Sequence, residues 1–98
     1  MFKPNGRAHR MLRLLADNGA MDQVTLRGLA VKANTDPEWR TSWYVLNSLR
    51  SSRFIRRNPL HDMLYITTTG REALRDLDAG VGVPSEDDDG RVTYRRVA

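Results

Sequence analysis

The sequence of 98 residues contains no cysteine and only two histidines, His9 and His61, which lie far apart. Without cysteine the chain can form neither a disulfide nor a thiolate site, which suits a reducing compartment. Two distant histidines without cysteine argue against a zinc site. The sequence also lacks a Ser-His-acid set, a phosphate-binding glycine loop and a carboxylate pair in a plausible pocket. We therefore expect neither an enzyme nor a bound cofactor or metal.

Long apolar stretches are missing as well. No run approaches the roughly 20 residues that a membrane-spanning helix needs. The first ten residues, MFKPNGRAHR, lack the apolar centre of a signal peptide. We expect a cytoplasmic protein without a membrane partner, associated with the nucleoid if it binds DNA. A chain of this length supports one small domain with a modest core.

Acidic residues are scarce in the first half of the chain. The net charge is +4 and the isoelectric point is near 10.1. Residues 1–57 carry 11 Lys or Arg against 4 acids (+7), whereas residues 58–98 carry 5 against 8 (−3). A basic region of this kind is typical of a protein that binds nucleic acid, although basic proteins also bind acidic proteins and membranes.

The clearest pattern lies between residues 36 and 57. Asp36 is suited to cap a helix, and Pro37 is suited to its first position. One side of this helix is apolar and is formed by Trp39, Trp43, Leu46 and Leu49. The other side is cationic or hydrogen-bonding and is formed by Arg40, Tyr44, Asn47 and Ser51, with Thr41 and Ser48 beside them. This stripe fits a DNA major groove, where Arg pairs with guanine and Asn with adenine, but it fits a solvated helix face equally well.

Periodicity and turn signals predict the remaining elements. Helices are expected at about residues 7–18, 26–33, 37–52 and 68–79, and strands at 54–57 and 63–67. Thr25 is the expected cap of the second helix, with Val24 and Leu29 as a hydrophobic staple and Leu29 facing inward. The two strands should form an antiparallel hairpin around a loop at 58–62. Residues 1–6 are expected to be a loose arm and residues 80–98 a mobile tail.

This order of elements resembles the winged helix-turn-helix domains of prokaryotic and phage regulators of the MarR, PadR and ArsR kind. The resemblance covers about residues 7–79 and is carried by Leu46 and Leu49, Phe54-Ile55, the loop 58–62, Tyr65-Ile66-Thr67, and Gly70-Arg71-Glu72-Ala73-Leu74. Two positions depart from it. Arg53 stands where the family usually has the glycine of a left-handed turn, and Thr35 stands where an apolar residue is common.

The resemblance implies an α+β winged-helix fold and a sequence-specific transcriptional regulator that binds double-stranded DNA, commonly as a homodimer. Its third helix would lie in the major groove and its basic wing on the flanking backbone. The implied DNA-binding residues are Arg40, Thr41, Tyr44, Asn47 and Ser48 on the third helix, Arg56, Arg57 and His61 on the wing, and Thr25 and Arg27 at the second helix.

Several alternatives stay open at this stage. Either Arg56 or Arg57 could pair with an acid, and Trp39 and Trp43 are expected in the core rather than at a contact surface. The acidic run at residues 86–89 could cover the basic face and weaken non-specific binding. The chain could also be a protein-interaction module, for example a small phage-type factor that binds host transcription machinery. A steep fall of affinity with salt would distinguish DNA binding from this alternative.

Overall fold

The computed structural model describes residues 1–85 and arranges them as four helices and a two-stranded antiparallel sheet. In chain order these elements are α1 (Arg7–Asn18), α2 (Gln23–Ala30), α3 (Asp36–Ser51), β1 (Ile55–Asn58), β2 (Met63–Ile66) and α4 (Thr68–Asp78). The predicted α+β class and order of elements are confirmed. The acidic run at 86–89 and the rest of the predicted tail to residue 98 lie outside the described residues.

Helix α1 is the centre of the packing. Its inward stripe is the predicted one, formed by Ala8, Met11, Leu12 and Leu15, all of which are buried. The helix contacts α2, α3, α4 and β2. Burial of each larger apolar side chain stabilises the fold by about 1.5–3 kcal/mol. Because the buried stripe of α1 meets four other elements, this helix organises the core.

Helix α2 begins earlier than predicted. Asp22, and not Thr25, is its cap, because the Asp22 carboxylate accepts hydrogen bonds from the Thr25 backbone N–H (3.1 Å) and hydroxyl (2.6 Å). The helix also ends at Ala30, before the predicted residue 33. Val24 and Leu29 are 59% and 58% exposed. The predicted staple and the inward placement of Leu29 are therefore wrong, since the buried face turned out to pass through Leu26 and Ala30.

Helix α3 is capped by Thr35, one residue before the predicted cap. The Thr35 hydroxyl accepts a hydrogen bond from the Glu38 backbone N–H at 3.4 Å. Asp36 is instead the first helical residue, followed by Pro37. The carboxylates of Asp36 and Glu38 still lie in the first turn, where they interact favourably with the helix dipole.

The two strands pair in the predicted way. Ile55 lies opposite Ile66, and Arg56 lies opposite Tyr65. The inward side chains of Ile55, Leu64 and Ile66 are buried, whereas Arg56 and Tyr65 face outward. Met21, in the link between α1 and α2, bridges Leu64 through two backbone hydrogen bonds of 3.0 and 2.8 Å. The hairpin is thus attached to the helical core along β2.

The turn between α3 and β1 fixes the start of α4. Arg53 adopts a φ of 66°, a left-handed conformation that favours glycine. The Thr67 hydroxyl donates to the Arg53 carbonyl (2.7 Å) and accepts from the Gly70 N–H (2.9 Å), so Thr67 caps α4. A Cβ atom on Gly70 would lie 2.0 Å from the Phe54 carbonyl oxygen. Only glycine therefore allows this close approach.

The two ends of the described chain are packed together. Phe2 and Val83 form an antiparallel bridge through hydrogen bonds of 2.8 and 2.9 Å, and both side chains are buried. The Phe2 ring also contacts that of Phe54, with centroids 5.8 Å apart. The expected loose arm is therefore wrong at Phe2, which is buried and paired with Val83. A pairing of single residues leaves no periodic signal in the sequence.

Among the helices of residues 1–85, none has the length and apolar character that a membrane crossing requires.

Candidate nucleic-acid interface

The predicted polar stripe of α3 lies on one side of the helix, with varied exposure. Arg40 and Tyr44 are exposed, and Tyr44 retains 59% of its surface. Thr41, Asn47 and Ser48 are half-buried. The Thr41 hydroxyl donates to the Pro37 carbonyl at 2.8 Å, so its proton is used within the helix. Arg40, Tyr44 and Asn47 are the stripe residues best placed to donate hydrogen bonds outward.

Two further arginines extend this surface beyond the predicted set. Arg50, at the end of α3, and Arg53, in the following turn, are both exposed. Arg53 and Arg56 line a cleft of about 470 Å³ with Tyr65 and residues 67–69. Arg50 and Arg56 line an adjacent cleft of about 520 Å³. Sequence reasoning missed Arg50 and Arg53 because it followed one helical stripe and took position 53 only as a departure from the family pattern.

The arginines of this surface have no acidic partners among residues 1–85. Neither of the two clefts is lined by an acid. Four exposed side chains of this surface have no ion pair among residues 1–85, and we refer to them as the unpaired arginines; they are Arg40, Arg50, Arg53 and Arg56. Arg50, Arg53 and Arg56 line neighbouring clefts, and Arg40 lies earlier on α3; we call these four side chains the cationic band.

The hairpin loop contributes less charge than predicted. The Arg57 Nε atom lies 3.2 Å from the Asp62 carboxylate, so this cation is partly neutralised. Of the alternatives left open for Arg56 and Arg57, pairing with an acid holds for Arg57. His61 is exposed in the loop, beside the 86% exposed Leu60. The structure therefore presents Arg56 and His61 as the hairpin groups that are open to a ligand.

The residues predicted at the start of α2 are not presented to a phosphate. The Asp22 carboxylate already occupies the helix N-terminus, and its hydrogen bonds from Thr25 lower the pKa of Asp22. Arg27 is only 7% exposed. Its Nε donates to Ser42 Oγ (3.0 Å), and its Nη2 donates to the Trp39 carbonyl (2.8 Å). Arg27 thus joins α2 to α3 and does not extend the cationic band.

The two tryptophans are less buried than expected. Trp39 is half-buried, with the Arg27 guanidinium 4.0 Å from its ring centroid. Trp43 is 45% exposed, and its ring meets that of Tyr44 edge-on, with centroids 5.5 Å apart. The core placement of Trp43 is wrong because the buried residues of α3 are Ser42, Leu46 and Leu49. A cleft of about 320 Å³, here called the aromatic cleft, is lined by Arg27, Asp36, Trp39, Arg40, Trp43 and Tyr44.

Of the four basic side chains on α1, Arg7, His9 and Arg13 meet acids from distant parts of the chain, whereas Arg10 donates to the Ala30 and Asn5 carbonyls. Arg7 donates two hydrogen bonds to the Glu38 carboxylate, at 2.8 and 2.6 Å. These bonds, with one from the Lys32 backbone N–H, lower the pKa of Glu38 to about 2. Arg13 and His9 both contact the Asp78 carboxylate, and their hydrogen bonds lower its pKa. Arg7 and Arg13 therefore contribute little free positive charge to the α1 side.

Within residues 1–85, no group of three or more histidine or acidic side chains is gathered as a metal ion would require. Comparison of the chain with protein-family models, with curated proteins and with solved structures found no match.

Proposed function

We propose that this chain is a sequence-specific DNA-binding transcriptional regulator of the winged-helix type. In this arrangement α3 lies in the major groove and the β1–β2 hairpin is the wing on the flanking backbone. The order of four helices and a hairpin after the third helix is compatible with that fold. The observation that carries the proposal is the band of unpaired arginines along α3 and β1.

The spacing of these arginines suits a phosphate backbone. An α-helix rises about 1.5 Å per residue, so Arg40 and Arg50 are separated by about 15 Å along α3. Arg53 and Arg56 continue the band onto the hairpin. Because exposed guanidinium groups without acidic partners retain their full charge, each can displace counterions from a phosphate. Non-specific affinity would come mainly from this band.

Sequence specificity would come from the middle of α3. Arg40 can donate two hydrogen bonds to guanine, and Asn47 can pair with adenine in the major groove. Each such bidentate contact discriminates against a wrong base by about 1–3 kcal/mol. Tyr44 lies between these two residues in the stripe and contributes a hydroxyl and an exposed ring.

A protein-interaction module is the second candidate. It is favoured by the exposure of Trp43 and Tyr44, because Trp, Tyr and Arg supply most of the binding energy at protein interfaces. Such a protein would use the same face of α3 to hold a partner from the transcription machinery. Its affinity would depend less steeply on salt than binding to DNA.

The test is an amide NMR titration of the full chain with a short random duplex at two salt concentrations. We expect resonances of Arg40, Tyr44, Asn47 and residues 56–61 to shift together, and the shifts to collapse at the higher salt concentration. Amides of α1 near Arg13 serve as the internal control, because the cations there are paired. Absence of any shift at low salt would refute DNA binding and direct attention to a protein partner.

A further inference from the structure

We infer that the aromatic cleft on the first half of α3 binds an unpaired base of a single-stranded nucleic acid, which stacks on Trp43 or Tyr44 while its phosphate lies beside Arg40. This inference goes beyond the proposed duplex interface and does not require it. A chain could bind single strands through this cleft without recognising any duplex sequence.

The two rings have the exposure and geometry of a stacking site. Trp43 and Tyr44 are 45% and 59% exposed, and their planes stand at 81° to each other. In a duplex major groove, side chains meet the edges of bases, whereas the flat face of an aromatic ring is complementary to the face of an unstacked base. Stacking of one base on an aromatic side chain is worth about 1–3 kcal/mol.

The charge of the cleft favours an anionic ligand. Arg27, on the inner wall, is buried, and its polar partners in the described chain are neutral: Ser42 Oγ, the Trp39 carbonyl and Gln23 Oε1. Burial lowers its pKa, which reflects the cost of a cation withdrawn from water. A phosphate nearby would offset part of that cost. Arg40 lies in the same lining, is exposed and belongs to the unpaired arginines.

Asp36 is the one acid among the lining residues, and it orients the ligand. Its carboxylate repels a phosphate but can accept a hydrogen bond from a base N–H. Arg40 follows Asp36 by one helical turn, so the phosphate is assigned to the Arg40 guanidinium and a base N–H to the Asp36 carboxylate. An acidic peptide would also meet the arginines, but its carboxylates offer no flat surface to the two ring faces.

The size of the cleft agrees with a single base. Its volume of about 320 Å³ is too small for a duplex and lies near the lower end of the roughly 300–1,000 Å³ found for small-ligand sites. The strand beyond this base can continue along α3 toward Arg50, about 15 Å further along the helix axis. Phosphates of the neighbouring nucleotides would then meet the same cationic band.

Intrinsic fluorescence provides a direct test, because the two tryptophans of the chain both line the aromatic cleft. The full chain is titrated with a short thymidylate single strand and with an abasic strand of equal length. We expect saturable quenching by the thymidylate strand and binding about tenfold tighter than that of the abasic strand. Equal affinity for the two strands would show a phosphate contact alone and would overturn the inference.

Variants separate stacking from general charge effects. Tyr44→Ala is expected to weaken binding of the thymidylate strand about tenfold, whereas Tyr44→Phe keeps the ring and most of the affinity. Leu29→Ala is the matched control, since it removes a side chain that is 58% exposed on α2, outside the cleft. Circular dichroism confirms that each variant is folded. If neither Tyr44→Ala nor Trp43→Ala weakened binding of the thymidylate strand, the inference would be overturned.

Titrations of the full chain with duplex DNA and with a polyglutamate peptide distinguish this inference from the proposed function and from binding of acidic proteins. Duplex binding without binding of single strands would refute the inference and leave the proposed regulator intact. Binding of single strands without duplex binding would support the inference and refute the duplex interface. Equal quenching by a polyglutamate peptide would assign the cleft to acidic proteins and overturn the inference.

Discussion

The cations of α1 and those of the band from α3 to β1 have opposite surroundings. Arg7 and Arg13 meet the carboxylates of Glu38 and Asp78, which lie 31 and 65 residues further along the chain. Arg50 and Arg56 are exposed and have no acidic partner in the described part of the chain. The excess of positive charge in the first half of the sequence is therefore not spread evenly. Folding pairs Arg7 and Arg13 of α1 with acids and leaves the unpaired arginines of α3 and the hairpin available.

Arg27 shows a third environment for the same side chain. It is buried, its hydrogen-bond acceptors are neutral, and its guanidinium stacks on the Trp39 ring. The comparison teaches that an arginine's role depends on the partners that folding provides. Some arginines bridge elements, some are neutralised, and the remainder are available to a ligand.

The largest effect is expected when the unpaired arginines at the hairpin end of the band are neutralised together. In the variant Arg50→Gln/Arg53→Gln/Arg56→Gln, affinity for random duplex DNA should fall by at least about tenfold at low salt. The slope of log K against log salt concentration should become shallower by about 2–3, because each phosphate contact contributes about 0.9. Fluorescence anisotropy at several salt concentrations measures both quantities.

A matched control carries the same change in net charge on other exposed cations. The variant Lys32→Gln/Arg71→Gln/Arg75→Gln changes side chains outside the two arginine-lined clefts. We expect its affinity and salt slope to stay close to those of the unchanged chain. If both triple variants lost affinity equally, net charge and not the position of the band would govern binding.

The next prediction compares the contributions to stability of two arginines of the aromatic cleft, the buried Arg27 and the exposed Arg40. Arg27→Met should reduce the free energy of unfolding by about 1–3 kcal/mol, because the charged hydrogen bonds to Ser42 and Trp39 are lost. Arg40→Met should change it by no more than about 0.5 kcal/mol, as surface substitutions do. Urea denaturation followed by circular dichroism measures both. Similar losses in the two variants would contradict the bridging role of Arg27.

A smaller effect is expected at the turn after α3. Arg53 adopts a left-handed φ of 66°, which is unfavourable for a residue with a Cβ atom. Arg53→Gly should therefore be about 0.5–1 kcal/mol more stable than Arg53→Ala, although both variants lose the same guanidinium. DNA affinity should fall equally in the two. A difference in affinity between them would show that the turn conformation, and not the charge, contributes to binding.

Much of the fold could be predicted because its signals are local. The stripe from Ala8 to Leu15 and the alternation around Leu64 and Ile66 are periodic, and each element was found from its own residues. The start of α2 was misplaced because Asp22 and Thr25 are both good caps three residues apart, and the sequence does not show which of them accepts the bond.

The parts of the site that could not be predicted depend on distant contacts. The burial of Arg27 requires Ser42 on the next helix, and the pairing of Phe2 with Val83 joins opposite ends of the described chain. Neither contact leaves a periodic pattern. The outward placement of Trp43 follows from the same cause, because Ser42 faces Arg27 and takes the inward position on α3.

The smallest effect on stability is expected from the ion pair between Arg7 and Glu38, which belongs to the α1 side of the comparison. The Arg7 hydrogen bonds hold the pKa of Glu38 at about 2, below its ordinary value of 4.5. A carboxyl group whose pKa is lowered by folding stabilises the native state fully above pH 4.5, and this contribution is lost as the pH falls toward 2. The melting temperature of the unchanged chain should therefore exceed that of Glu38→Gln at neutral pH, and the gap should close over this acidic range. The effect is modest because the pair is accessible to solvent.

Thermal unfolding at a series of pH values measures this gap, with Glu72→Gln as the control. Glu72 is an exposed carboxylate without an ion pair in the part of the chain that the structure describes. Its variant should show a small gap that does not depend on pH. A Glu38→Gln gap that persisted at pH near 2 would mean that the Arg7 pair does not cause it. If the gap does close, protonation of Glu38 releases Arg7 as a free cation. The contrast in free positive charge between the α1 side and the cationic band should then weaken over the same range of pH.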